Sequence, residues 1–142
     1  KGLCAPIGSL LCGSEELIAR ARRWRKMLGG GMRQVGIVAA AGIIALTEQI
    51  QHLQHDHENA RLLALALNEI PELDAAPEDV QTNMVFARVT KASREGLVRK
   101  MAEKNILISG SRDTLRLVTH YDIKLEDVEH IATAFSELVA AA

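Results

Sequence analysis

Aromatic side chains are scarce: one Trp, one Tyr and two Phe in 142 residues. Proteins that hold single-stranded nucleic acid stack bases on exposed rings along a basic groove, and a chain this poor in rings, with a net charge of −1, is not built for nucleic acid. Cysteine is rarer still. Cys4 and Cys12 flank a predicted turn and strand without the C-x-x-C spacing of zinc or redox sites, so two buried, unlinked thiols and a reducing, cytoplasmic setting are expected. No apolar run reaches the ~18 residues that cross a bilayer, and no charged-then-apolar leader opens the chain, so a soluble protein without membrane association is expected. The first residue is Lys1 and not methionine, so the chain is expected to be a piece of something longer.

What is present suffices for a core, since 48% of the residues are hydrophobic. "GSLLCG", Gly8 to Gly13, reads as one buried strand bounded by glycines. Ser14 caps a helix whose first turn holds Glu15 and Glu16, and whose apolar positions Leu17, Ile18, Ala21, Trp24 and Leu28 recur at helical spacing. Glycines 29 to 31 stop it. A longer helix is predicted from Met32 to His52 or beyond, apolar on almost every face through "VGIVAAAGIIAL", which requires surrounding protein. Between Glu69 and Asp79 the residues turn acidic, alanine-rich and proline-containing, marking a domain boundary. Beyond it "MVFARV", "NILIS" and "TLRLVTH" read as strands, with helices from Ser93 to Lys104 and Leu125 to Ala141: a βαββα unit with a mainly antiparallel sheet. The lone strand of the first part has no partner in sequence, so residues 1 to about 70 are expected to be the tail of a larger sheet-containing domain.

"RRWRKMLGGGMRQ" sets five cations around three glycines. A solvated helix face would explain the cations, with Trp24 as core. A localised anion would explain the glycines too, because a glycine loop opening a helix exposes N–H groups at its positive end, next to Arg33. His52 and His55 stand at a spacing that can bind metal, but they lie among glutamines and acids on a wet helix surface, and no metal is expected. His120 and His130 have no evident nucleophile partner. Arg116 breaks a run of leucines, and strand period puts it on the face opposite Leu115 and Leu117. It is either a surface residue or a rigidly mounted fork for a carboxylate.

Four segments, "KGLCAPIGSLLCGS", "RWRKMLGGGMRQVGIVAAAGI", "QTNMVFARV" and "LRLVTHYDI", resemble in order and spacing the C-terminal half of the low-specificity L-threonine aldolases. The resemblance implies the α/β fold class: the C-terminal part of a fold-type I (aspartate-aminotransferase-like) pyridoxal-phosphate enzyme. Residues 1–70 would be the tail of its large cofactor-binding domain, one strand and long helices, and residues 71–142 its small α+β domain. It implies pyridoxal 5'-phosphate as cofactor, bound by Lys1 as a Schiff base. Arg33 and Lys26 would approach the cofactor phosphate or the substrate region, often from a neighbouring subunit, and Arg116 would bind the substrate α-carboxylate. The implied reaction is cleavage of L-threonine or L-allo-threonine to glycine and acetaldehyde in a homotetramer. Its general base belongs to the N-terminal half, which this sequence lacks, so the chain alone is expected to be inactive until assembled with that half. Another pyridoxal-phosphate lyase, an aminotransferase-like enzyme and an inactive assembly fragment stand as alternatives.

Overall fold

The computed structural model describes residues 2–90, 94–111 and 113–140. Helix α1 (Glu15–Met27) begins where the sequence places it: Ser14 is extended and its Oγ accepts the Leu17 N–H at 3.3 Å, leaving Glu15 and Glu16 to face the positive helix end. The long second helix predicted from Met32 to His52 is shorter and broken. Gln34 has a positive φ of 20°, which no α-helix includes, so α2 starts only at Gly36 (Gly36–Thr47). At its end the Thr47 hydroxyl bonds back to the Ile43 carbonyl at 2.9 Å, and a 3₁₀ turn at Ile50–His52 leads into α3 (Leu53–Asn68). Among the described residues no single helix is long and apolar enough to cross a membrane; Gly36–Thr47 and Ile50–Asn68 meet that test only as a pair bent by 51°.

Two compact units emerge, Lys1–Gln51 and His52–Ala142, so α3 joins the second and the units part before the compositional change that follows Glu69. In the first unit Ala45 alone is buried among the described residues. Gly8 to Gly13 forms no strand, because no neighbouring segment of its unit offers a ladder partner, and Leu10 and Leu11 stay 76% and 62% exposed. For the same reason the thiols expected to be buried are exposed at both Cys4 and Cys12, and Trp24, read as core, is open too.

The second unit carries the core. Strands β1 (Leu73–Asp74), β2 (Met84–Val89), β3 (Ser109–Ser111) and β4 (Thr114–Val118) form an antiparallel sheet in the order β1-β2-β4-β3. Helices α3, α4 (Arg94–Glu103) and α5 (Leu125–Ala140) complete the unit: α3 packs on β2 and on α5, and α5 on α4. Period-two alternation sends Val85, Ala87 and Val89 of β2 and Leu115 and Leu117 of β4 into the core with Leu63, Leu67, Met101 and Phe135. Two details depart from expectation. β1 is two residues long, too short to leave a periodic signal. β3 starts at Ser109 and not at Asn105, because Asn105 takes a left-handed φ of 61° and the Ile106 N–H bonds the Met101 carbonyl at 2.9 Å, spending that stretch on ending α4.

Asp56 is the one buried acid among the described residues. It is 3% exposed, its Oδ2 has no hydrogen-bond partner among the described residues, and the Thr119 hydroxyl donates to its main-chain carbonyl at 2.7 Å. Burial pushes the Asp56 carboxyl above the usual carboxylate range, opposed by His120 first and then by His57, His52 and His55. A carboxyl whose pKa is raised in the folded state contributes stability below its unfolded pKa and loses it as pH rises through the folded value. We therefore expect Asp56→Asn to stabilise the protein more at pH 7.5 than at pH 4, read as urea midpoints. An equal effect at both pH values would contradict this account.

Candidate functional site: cations at a glycine turn and on an open sheet face

The glycine run is first a helix stop. Gly29 takes φ +85°, its N–H bonds the Lys26 carbonyl at 3.3 Å and the Gly30 N–H bonds the Arg25 carbonyl at 2.8 Å, closing α1 with paired C-terminal hydrogen bonds. The turn also lets a cation lie against the backbone: a Cβ built on Gly31 would stand 2.5 Å from Lys26 Cδ and 3.0 Å from Lys26 Nζ. Arg33 follows the turn, three residues before α2, so it does not sit within the first turn of that helix as the sequence had placed it. Both cations are exposed and form no ion pair among the described residues. Residues 1–51 hold seven Lys and Arg against three Glu, a net +4, while residues 52–142 hold ten against fifteen Asp and Glu, a net −5. A neutral-looking chain thus carries a cationic first unit, whose spare donors suit a multiply charged anion such as a phosphate monoester.

In the second unit the sheet face away from the core presents Phe86, Arg88 and Arg116. Arg88 has a carboxylate, Asp74, at 3.8 Å; Arg116 has none among the described residues. Its Nη2–H points to Met84 Sδ at 3.7 Å, with Phe86 directly opposite on β2 and Ser109 directly opposite on β3. A cavity of about 280 Å³ lined by Phe86, Ser109, Gly110, Thr114 and Arg116 opens there. An exposed guanidinium with a thioether for a neighbour keeps its charge free for an incoming carboxylate, which it can grip through two parallel N–H bonds.

Lys1 lies outside the described residues. Lys26 and Arg33 belong to the first unit and Arg116 to the second. No three His, Cys, Asp or Glu gather as a metal set among the described residues. His52 meets Tyr121 edge to face with ring centroids 5.1 Å apart, and His120 Nδ1 lies 3.7 Å from an Asp122 carboxylate oxygen. Sequence reasoning missed Met84, Phe86 and Ser109 as neighbours of Arg116. The alternation of "MVFARV" and "TLRLVTH" gives their faces, but only the register of β2 on β4 and of β3 on β4 sets them around the guanidinium.

Comparison with known proteins adds sequence likeness to this geometry. Residues 1–90 match the model of the family described as beta-eliminating lyase. The chain is 46% identical over 140 residues to the low specificity L-threonine aldolase of Escherichia coli (strain K12), covering 99% of this chain and 41% of that protein. It is 41% identical over 141 residues to low-specificity L-threonine aldolase 1 of Arabidopsis thaliana, covering 96% of this chain and 39% of that protein. The chain thus spans about 40% of the length of these relatives. Among solved structures, a NifS-like protein from Rickettsia africae matches 78% of this chain and 36% of its own at a TM-score of 0.64 and 17% identity. L-Threonine-O-3-phosphate decarboxylase from Porphyromonas gingivalis matches 72% of this chain and 33% of its own at 0.56 and 20% identity. At such identities the likeness is one of fold.

The glycine turn makes a paired prediction. Gly29→Ala puts a Cβ into open space but into left-handed backbone, and should cost the assembled protein about 1 kcal/mol in urea unfolding. Gly31→Ala should leave stability nearly unchanged, since only the flexible Lys26 side chain must move aside. Equal costs at the two positions would contradict the assignment of Gly29 as the helix stop.

Proposed function

The chain belongs to the beta-eliminating lyase family, and on that premise we propose that it is part of a pyridoxal-phosphate-dependent aldolase that cleaves L-threonine or L-allo-threonine to glycine and acetaldehyde. Its fold is that of the C-terminal part of fold-type I pyridoxal-phosphate enzymes. The observation that carries the reading is Arg116: a guanidinium fixed on a rigid strand, open to solvent, beside a cavity and without a carboxylate partner among the described residues. Its support in sequence is the 46% identity to an L-threonine aldolase along nearly the whole chain.

Each residue has a separate task in this reading. Arg116 holds the substrate α-carboxylate through two N–H donors, and so fixes which bond at Cα stands ready to break. Lys26 and Arg33 fit the cofactor phosphate, because both are exposed cations without acidic partners among the described residues and Lys26 already lies over Gly31. Lys1 would hold the cofactor through its ε-amine, which reacts with an aldehyde only in its deprotonated form. Once bound, pyridoxal phosphate supplies an electron sink for the pair left on Cα as the Cα–Cβ bond breaks. The remaining part of the enzyme supplies the base for the β-hydroxyl proton. That part, together with sister subunits of a homotetramer, covers the apolar surface of the first unit, where Leu10, Leu28 and Ile37 are 76%, 80% and 90% exposed.

The family description favours one second reading, β-elimination, whose products are ammonia and a keto acid. Product analysis on the complete enzyme separates the two: acetaldehyde and glycine from L-threonine support the aldolase, and ammonia with a keto acid supports elimination. Arg116→Leu should lower kcat/KM for L-threonine by about 30- to 1000-fold, equivalent to about 2–4 kcal/mol. An unchanged value would remove Arg116 from the substrate site. Arg33→Ala should weaken cofactor retention on dialysis; full retention would count against a phosphate at the glycine turn.

A further inference from the structure

Arg116 as a carboxylate fork raises a question of its own: what holds so long a side chain in place before substrate arrives? An exposed arginine samples many rotamers, and a ligand that must order it gives up that entropy on binding. A carboxylate neighbour would order the guanidinium but would also neutralise it. The geometry points instead to Met84 as a positioning residue that orders Arg116 without competing for its charge. Met84 and Arg116 are diagonal neighbours on the open sheet face: β2 pairs Phe86 with Arg116 and Met84 with Val118, so the arginine leans two residues along the strand to place Nη2 3.7 Å from Met84 Sδ. A thioether sulfur is a neutral, weak acceptor. It occupies one N–H direction of the guanidinium and leaves the remaining donors available to an amino-acid carboxylate. Arg88 shows the opposite arrangement on the same face, with Asp74 at 3.8 Å.

Met84 is half-buried at the head of β2, opposite Val118, so a leucine there conserves volume and apolar packing while removing the acceptor. The inference rests on Arg116 binding the substrate carboxylate, and the test separates the two. In the complete holoenzyme, Met84→Leu should raise KM for L-threonine about threefold to tenfold while kcat changes less than twofold. Met84→Gln, which restores an acceptor at similar length, should return KM toward that of the unmodified enzyme. In an Arg116→Leu background, Met84→Leu should have no further effect, and thermal unfolding should show that all variants are folded. If Arg116→Leu raises KM but Met84→Leu does not, the positioning role is overturned and the carboxylate fork stands. Equal impairment by Leu and Gln at position 84, or a Met84→Leu effect that persists without Arg116, likewise overturns it. If Arg116→Leu leaves KM unchanged, both fall together.

Discussion

The antiparallel pairing of β2 with β4 is the constraint on which the second unit depends. Met84 faces Val118, Phe86 faces Arg116 and Arg88 faces Thr114, while the residues between them, Val85, Ala87, Leu115 and Leu117, turn the other way into a core that includes Phe135 and Leu63. A slip of one residue would exchange the faces of one strand, burying Arg116 and exposing Leu115 and Leu117. Burying an unpaired guanidinium costs several kcal/mol, and exposing two leucines forfeits about 1.5–3 kcal/mol each. The apolar core therefore does more than hold the helices on the sheet. It fixes the register that keeps a cation on the open face, and it keeps that cation on a strand rather than on a loop.

The two units differ in kind. The second buries a contiguous set of side chains between its sheet and its helices. The first buries Ala45 among its described residues, and leaves α2, an almost wholly apolar helix, largely open to water. A segment that buries so little apolar surface has almost nothing to set against the entropy of ordering its backbone. Its order therefore depends on contacts beyond the unit, in keeping with a chain that spans about 40% of the length of its relatives. The cations of the first unit share this dependence. Their net positive charge is unbalanced within the unit, so they repel one another.

Much of the second unit could be read from the sequence, because its elements follow local rules. Alternation in "MVFARV" and "TLRLVTH" gave both strands and the outward face of Arg116, and the apolar spacing of Leu125–Ala140 gave the closing helix. The Ser14 cap and the glycine stop of α1 follow from the same chemistry. What stayed illegible depends on distant partners or on single backbone angles. β1 exists only because β2 lies beside it, and the 3₁₀ turn between α2 and α3 has no glycine or proline to mark it. "GSLLCG" has the pattern of a buried strand, but a strand needs a neighbour, and none pairs with it here, so its leucines and both thiols face outward. Met84 carries no charge and breaks no pattern, so its bearing on Arg116 appears only when the register is known.

The central claim is that the Arg116 guanidinium, held on the open face by the β2–β4 register, receives the carboxylate of an amino-acid substrate. A crystal structure of the complete enzyme with its cofactor and bound glycine tests this most directly. The account predicts both carboxylate oxygens within about 2.7–3.0 Å of two Arg116 nitrogens. A carboxylate held by other residues, with Arg116 turned to solvent, would contradict it.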